Sequence, residues 1–288
     1  MNIEFKEIQT GMLSGVRAGT GRIRVATVST DTEIKELVKS SHKPLRPIGS
    51  GTNLLGSDND CDGICIRLTP SDPKNLIIHG DLVVAAASSP LSALIKAMAE
   101  NGLGGLSSLA GIPGTVGGAL AGNAGANGHC IFDFTETVVG TSLEDGLEWT
   151  WKRSYGGWGY RKSPLKGLIT AAIIRADFCN AARERQLINA EISRRRQFMP
   201  PYPTLGSTFK NPTGGVSAGK LLEDAGCKEL SCGAFAIYEK HANWIVNKTR
   251  AIAPAADYLK LIEMMKQRVN DKFGIELEEE VRQIGEDR

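Results

Sequence analysis

Apolar and polar positions change period several times along this chain, and each change predicts an element. Residues 23–28, Ile-Arg-Val-Ala-Thr-Val, read as a strand. Thr30 and Glu33 then stand at capping-box spacing, ahead of Ile34, Leu37 and Val38 at helical intervals, which predicts a helix. After a strand-like run at 45–48, Ile64, Ile66 and Leu68 alternate with Cys65 and Arg67, the pattern of a half-buried strand. Further strands are predicted near 75–79 and 82–87. They are followed by a helix opened by Ser89-Pro90, with Leu91, Leu94, Ile95 and Met98 on one face and Asn101-Gly102 at its end.

Another strand is predicted over 167–175, after which composition shifts abruptly to the charged, helix-favouring run 181–186. A domain boundary is expected there. Beyond it the pattern predicts a helix to about residue 197, a proline-rich connection through Pro200, Pro201 and Pro203, and a helix near 217–225. A last amphipathic helix carries Tyr258, Leu261, Ile262, Met265 and Val269, with Gly274 as its cap. The mixture of elements is α+β, with no internal repeat.

Two glycine-rich segments punctuate this pattern about sixty residues apart: Gly49-Ser50-Gly51-Thr52-Asn53-Leu54, and Gly111-Ile112-Pro113-Gly114-Thr115-Val116-Gly117-Gly118, which runs on into Asn123-Ala124-Gly125. Glycine tolerates positive φ and carries no Cβ, so successive N–H groups can converge on an anion. Two such loops suit the phosphates of a dinucleotide. The common fingerprints do not fit. Leu54 stands where a Rossmann motif needs its third glycine, and Leu221 stands where the Walker-like run 214–221 needs a magnesium-binding hydroxyl.

Composition narrows the classes. With 41% apolar and 23% charged residues among 288, the chain reads as an ordered globular protein of about two domains. A net charge of +2, from 34 basic and 32 acidic residues, excludes a general nucleic-acid binder and makes any anion site local. The N-terminus lacks a signal-peptide pattern and no apolar run approaches the ~18 residues of a membrane span, so a cytoplasmic location is expected. Six cysteines with spacings that miss the zinc pattern predict neither a metal site nor a disulfide.

Seven blocks in order carry a resemblance: the two glycine segments, Tyr160-Arg161-Lys162-Ser163, Gly206-Ser207-Thr208-Phe209-Lys210-Asn211-Pro212, Ala218-Gly219-Lys220-Leu221-Leu222, His241-Ala242-Asn243-Trp244-Ile245-Val246-Asn247 and Glu278-Glu279-Glu280-Val281-Arg282. Together they resemble the UDP-N-acetylenolpyruvoylglucosamine reductase family, MurB, in its shorter subtype without the substrate-covering loop. Ser14-Gly15-Val16-Arg17 is a poor counterpart of the family's Thr-Thr-Phe-Arg, and Asn127 and Gly122 stand where the family has an aromatic and a bulky residue.

The resemblance implies an α+β protein: a two-subdomain FAD-binding fold of the vanillyl-alcohol-oxidase type (1–68 and 69–179) plus a C-terminal α+β substrate domain (180–288). NADPH would reduce the flavin and leave, and UDP-N-acetylglucosamine enolpyruvate would then be reduced to UDP-N-acetylmuramate. By the same resemblance, Gly49, Ser50, Gly51, Thr52, Asn53, Leu54, Gly111, Ile112, Pro113, Gly114, Thr115, Gly117, Gly118, Asn123, Ala124 and Gly125 bind FAD. Arg161 meets the charge that builds beside the substrate carboxylate, Ser207 is the general acid and Glu280 polarises the developing enol. Tyr160, Gln197, Lys210, Asn211 and Asn243 are the implied substrate contacts, with Arg194, Arg195 and Arg196 nearby. A monomer acting on small molecules is expected. The competing readings are another FAD oxidoreductase of the same fold group and a nucleotide-binding paralogue without turnover.

Overall fold

The structure, a computed structural model, describes residues 3–69 and 76–285. Its contacts divide the chain into two compact units. One comprises Met1–Phe5, Val25–Ser50 and Ile64–Gln197, and the other Lys6–Arg24, Gly51–Gly63 and Phe198–Arg288.

β1 (Arg22–Val28), which enters the first unit at Val25, and α1 (Asp31–Ser40), β2 (Leu45–Ile48) and β3 (Ile64–Leu68) of that unit appear where the pattern predicts them. The Thr30 hydroxyl accepts from the Glu33 amide and the Glu33 carboxylate accepts from the Thr30 amide, closing the capping box and fixing where α1 begins. Ile34, Leu37 and Val38 of α1 are buried. β2 lies parallel to β3, with Leu45 opposite Ile64 and Ile48 opposite Arg67. Here the structure departs from the half-buried expectation: Cys65 is fully buried along with Ile64 and Ile66, so this part of β3 is covered on both faces, as strands in parallel pairs commonly are.

A five-stranded antiparallel sheet follows, from β4 (Leu76–His79), β5 (Leu82–Ala86), β6 (Thr135–Thr141), β7 (Glu148–Lys152) and β8 (Leu168–Arg175) in the order β7-β6-β8-β5-β4. Residue 75 of the predicted 75–79 strand lies outside the described residues. The buried face of α2 (Leu91–Glu100) packs with α3 (Val116–Ala121) and Val83, Ala85, Val138 and Ile174 of the sheet in one core. The unit ends with α4 (Ala181–Arg196), in which only Glu184 is buried. The change in composition at 181 therefore marks a surface helix, capped by the Asn180 side chain, and the compact unit continues to Gln197.

The second unit is built on an antiparallel sheet of β9 (Thr204–Ser207), β10 (Ser231–Cys232), β11 (Phe235–Tyr238) and β12 (His241–Asn247) in the order β9-β12-β11-β10. Flanking it are α5 (Ala218–Asp224) and α6 (Ala255–Phe273). The predicted face of α6, Tyr258, Leu261, Ile262, Met265 and Val269, is buried, and Gly274 ends the helix in the left-handed conformation. Val16, Ala18 and Leu55, from early chain segments, complete the same core. Asp58 accepts from the Ala255 and Ala256 amides, both at 2.8 Å, and so caps a helix that begins far along the sequence.

Candidate active site

In the first unit the start of the first glycine segment meets the second. Gly49 follows directly on β2, and a Cβ built on it would stand 2.9 Å from the Thr115 hydroxyl and 3.8 Å from the Gly118 Cα. Bare backbone is what lets these loops approach. Thr115 caps α3 by accepting from the Gly118 amide, while the Val116 and Gly117 amides donate to the Ser89 and Ala87 carbonyls. The first turn of α3 is thus held by its own unit. The Gly114 and Thr115 amides, in the loop before the helix, take no part in these bonds.

The tail of the second block leads to Arg161. Asn123, buried and at φ 43°, donates its side-chain amide to the Gly159 carbonyl at 2.8 Å, and Arg161 donates from Nη1 to the Gly125 carbonyl at 3.1 Å. Gly159 and Lys162 exchange two backbone bonds, so Tyr160 and Arg161 form the tip of a tight turn. Arg161 is half-buried with φ 54°, a left-handed conformation that a non-glycine residue holds only where its surroundings impose it. Tyr160 is exposed beside it, its ring centroid 5.3 Å from the guanidinium carbon. Phe132 donates its backbone amide to the Asn123 side chain, stacks on Trp158 at 5.2 Å, and groups with Trp151.

The arginines closing α4 are engaged within the helix. Arg194 and Arg195 both bond Glu191, whose carboxyl they hold below its usual range, chiefly through Arg194. Arg195 also lies against Gly111, where a Cβ would come within 2.8 Å of its Cδ. Gln197 is the exposed residue that ends the helix, and among the described contacts of this unit nothing joins it to the other expected site residues.

In the second unit three short extended segments lie side by side. Asn53 donates its side-chain amide to the Glu280 carbonyl at 2.9 Å, and Leu54 and Leu55 pair in parallel with Arg282 and Gln283. Glu280 in turn donates its backbone amide to the Thr208 carbonyl at 2.8 Å, Lys210 donates to the Glu278 carbonyl at 2.8 Å, and Phe209 faces Glu279. Asn53, Glu280 and the Thr208 that follows Ser207 are therefore brought together by these bonds. Ser207 follows Gly206, which takes φ 77° at a register shift in β9, and it pairs across the sheet with Trp244. At Gly51, with φ 72°, a Cβ would fall 1.7 Å from the Leu13 carbonyl oxygen.

The three consecutive glutamates separate by partner. Glu278 pairs with Lys210, and Glu279 is held by Lys266 at 2.6 Å, leaving Glu280 as the one tied by its backbone to both the Ser207 loop and Asn53. Asn211, exposed, accepts from the Ala218 amide and holds the start of α5. Ser217 caps the same helix, so the Walker-like run is a helix entry.

Asn243, an expected substrate contact, is bonded to the backbone beside Ser207. It is buried, its side-chain oxygen accepts from the Phe209 amide at 2.9 Å and its side-chain nitrogen donates to the Phe209 carbonyl at 2.8 Å. Both ends of the amide are directed at the backbone beside Ser207. Nothing in the sequence signals this, because the partner is fixed by strand pairing. Close by, burial lowers the pKa of His241 and so favours its neutral form. Burial also pushes the Tyr258 hydroxyl, which lies against Thr208, well above its usual range.

Comparison with known proteins agrees with this geometry. Residues 199–284 match the model of the UDP-N-acetylenolpyruvoylglucosamine reductase C-terminal domain, and residues 23–145 that of an FAD binding domain. A UDP-N-acetylenolpyruvoylglucosamine reductase of Desulforamulus reducens is 36% identical over 88% of this chain and 83% of its own length, and one of Moorella thermoacetica is 37% identical over 84% and 80%. The crystal structure of UDP-N-acetylenolpyruvylglucosamine reductase (MurB) from Thermus caldophilus superposes with a TM-score of 0.82 at 30% identity, covering 98% of this chain and 99% of that one. Among the described residues, no helix is long and apolar enough to cross a membrane.

Proposed function

The chain belongs to the UDP-N-acetylenolpyruvoylglucosamine reductase family, and from that membership we infer that it is an FAD-dependent enzyme reducing UDP-N-acetylglucosamine enolpyruvate to UDP-N-acetylmuramate with NADPH, a step in making peptidoglycan precursors. The reading is supported above all by the bond from the Glu280 amide to the Thr208 carbonyl, which joins the neighbourhoods of two groups that the chemistry needs.

The residues present fit FAD. Bare backbone at Gly49, where a Cβ would crowd the Thr115 hydroxyl and approach the Gly118 Cα, next to a second glycine-rich loop, is a setting suited to a diphosphate. Bound there, FAD would supply a hydride to the terminal carbon of the enolpyruvyl double bond.

The protein's own groups then answer the charge that forms. Electron density builds on the neighbouring carbon and its carboxylate, where the fixed fork of Arg161 binds carboxylate oxygens without losing a proton. Ser207 delivers a proton to that carbon. Glu280 polarises the enol-like oxygen from the segment whose backbone bonds Thr208. Tyr160, Lys210, Asn211 and Gln197 are proposed to steady the sugar nucleotide, and residues 1–68 and 69–179 to form the flavin-holding part. We further propose a cytoplasmic monomer.

The test is a two-stage anaerobic stopped-flow measurement at the flavin absorbance. NADPH should bleach the yellow holoenzyme, and the enolpyruvyl sugar nucleotide should restore the colour. A colourless protein, or a yellow one that NADPH cannot bleach, contradicts the reading.

A further inference from the structure

We propose that Asn243 is a positioning residue that acts through Ser207, and does not bind the sugar nucleotide; this rests on the function inferred above. Three bonds converge on the two residues that follow Ser207. The Thr208 amide donates to the Asn243 carbonyl at 2.8 Å, the Phe209 amide donates to the Asn243 side-chain oxygen at 2.9 Å, and the Asn243 side-chain nitrogen donates to the Phe209 carbonyl at 2.8 Å.

An amide side chain closes such a two-point ring with the N–H and C=O of one residue because it offers both a donor and an acceptor. Asn243 is 3% exposed and Phe209 is 1% exposed, so neither end can be exchanged for water without leaving a buried polar group unpaired. The need for a clamp follows from the local backbone. Gly206 has φ 77° and β9 loses register between Thr204 and Ser207, so the Ser207–Trp244 pair begins afresh without regular pairing on the side before it. From the other side the Glu280 amide holds the Thr208 carbonyl. Asn243 therefore sets where the Ser207 hydroxyl stands relative to the carbon it protonates, and a misplacement on the order of 1 Å is enough to slow such a step about 100-fold.

Asn243→Asp keeps the size and the acceptor but removes the donor to Phe209. In the holoenzyme, flavin bleaching by NADPH should stay within about twofold of wild type. The limiting rate of colour return should fall about 100-fold, with little change in the sugar-nucleotide concentration that gives half of it. Combined with Ser207→Ala, the substitution should add no further loss, because the group it positions is gone. A raised half-saturating concentration at an unchanged limiting rate, equal slowing of both stages, or losses that multiply in the double variant would each overturn the proposal. Should Asn243→Asp not fold, Asn243→Ser is measured in the same way. Should neither fold, hydrogen exchange on the wild-type holoenzyme decides: the Phe209 amide must be as protected as those of β12, and faster exchange rejects the clamp. If wild-type enzyme shows no colour return with the sugar nucleotide, the functional reading fails while the exchange result still judges the clamp.

Discussion

Asn53 donates its side-chain amide to the main-chain carbonyl of Glu280 at 2.9 Å, and the Arg282 amide donates to the Asn53 carbonyl at 3.2 Å. One residue of the first glycine segment thus fixes the segment that carries the expected enol-polarising carboxylate. Asn53→Ala should cost about 1 kcal/mol in unfolding free energy and slow colour return more than bleaching. Equal slowing of the two stages would show that the bond serves stability alone.

Ser207→Ala should leave bleaching by NADPH nearly intact while slowing the sugar-nucleotide stage by orders of magnitude, since only that stage needs a proton delivered to carbon. Stopped-flow traces of each stage check this directly. If bleaching falls as steeply, Ser207 is not the acid.

Arg161→Lys keeps the charge and removes the fork. A point charge cannot hold both oxygens of a carboxylate, so the sugar-nucleotide stage should slow about 100-fold or less while bleaching is spared. Unchanged rates in both stages would remove Arg161 from the proposed machinery.

Gly51→Ala and Gly128→Ala make a matched pair. Both positions have positive φ, but a Cβ at Gly51 would fall 1.7 Å from the Leu13 carbonyl oxygen, whereas nothing lies within 4 Å of one at Gly128. The first should lower unfolding free energy by about 3 kcal/mol or more and the second by about 1 kcal/mol. Similar values in denaturant titrations would refute the close approach.

Asp58 gives a pH dependence. Burial alone would raise its pKa, but the amides of Ala256, Ala255 and Thr20 and the Thr20 hydroxyl outweigh that and hold the carboxyl below its usual range. A folded pKa below the unfolded value, ~3.9, means that the contribution is full above about pH 4 and is lost as pH falls through the folded pKa. Asp58→Asn should therefore destabilise the protein at neutral pH by an amount that shrinks as the medium is acidified. A difference independent of pH between 7 and 3 would show that the charge is immaterial.

What could be read from residues alone was local. The Thr30–Glu33 box, the buried face of α6 and Gly274 each depend on neighbours within a turn or two, and they stand where the pattern predicts them. The kinds of residue at the site were also legible, as runs of glycine, a Gly-Ser pair and three glutamates. Their partners were not. Phe209 and Asn243 are 34 residues apart and Asp58 and Ala255 are 197 apart, distances at which strand order, not spacing, decides contact. Cys65 was misread for a related reason: alternation reports a strand's own faces and says nothing of what a parallel neighbour covers. The charged run at 181 reads as a helix and a domain boundary, while a surface helix with one buried side chain has almost no apolar stripe to show what it packs against.

The second unit takes Lys6–Arg24 and Gly51–Gly63 from the start of the chain and the rest from Phe198 onward. During synthesis on the ribosome, Val16, Ala18 and Leu55 emerge long before Tyr258 and Leu261, the side chains with which they share a core. That core cannot close until translation is nearly complete, and such distant contacts make for slow assembly. A fragment starting at Phe198 would expose the apolar surface those early residues cover, and would tend to aggregate where the intact polypeptide folds.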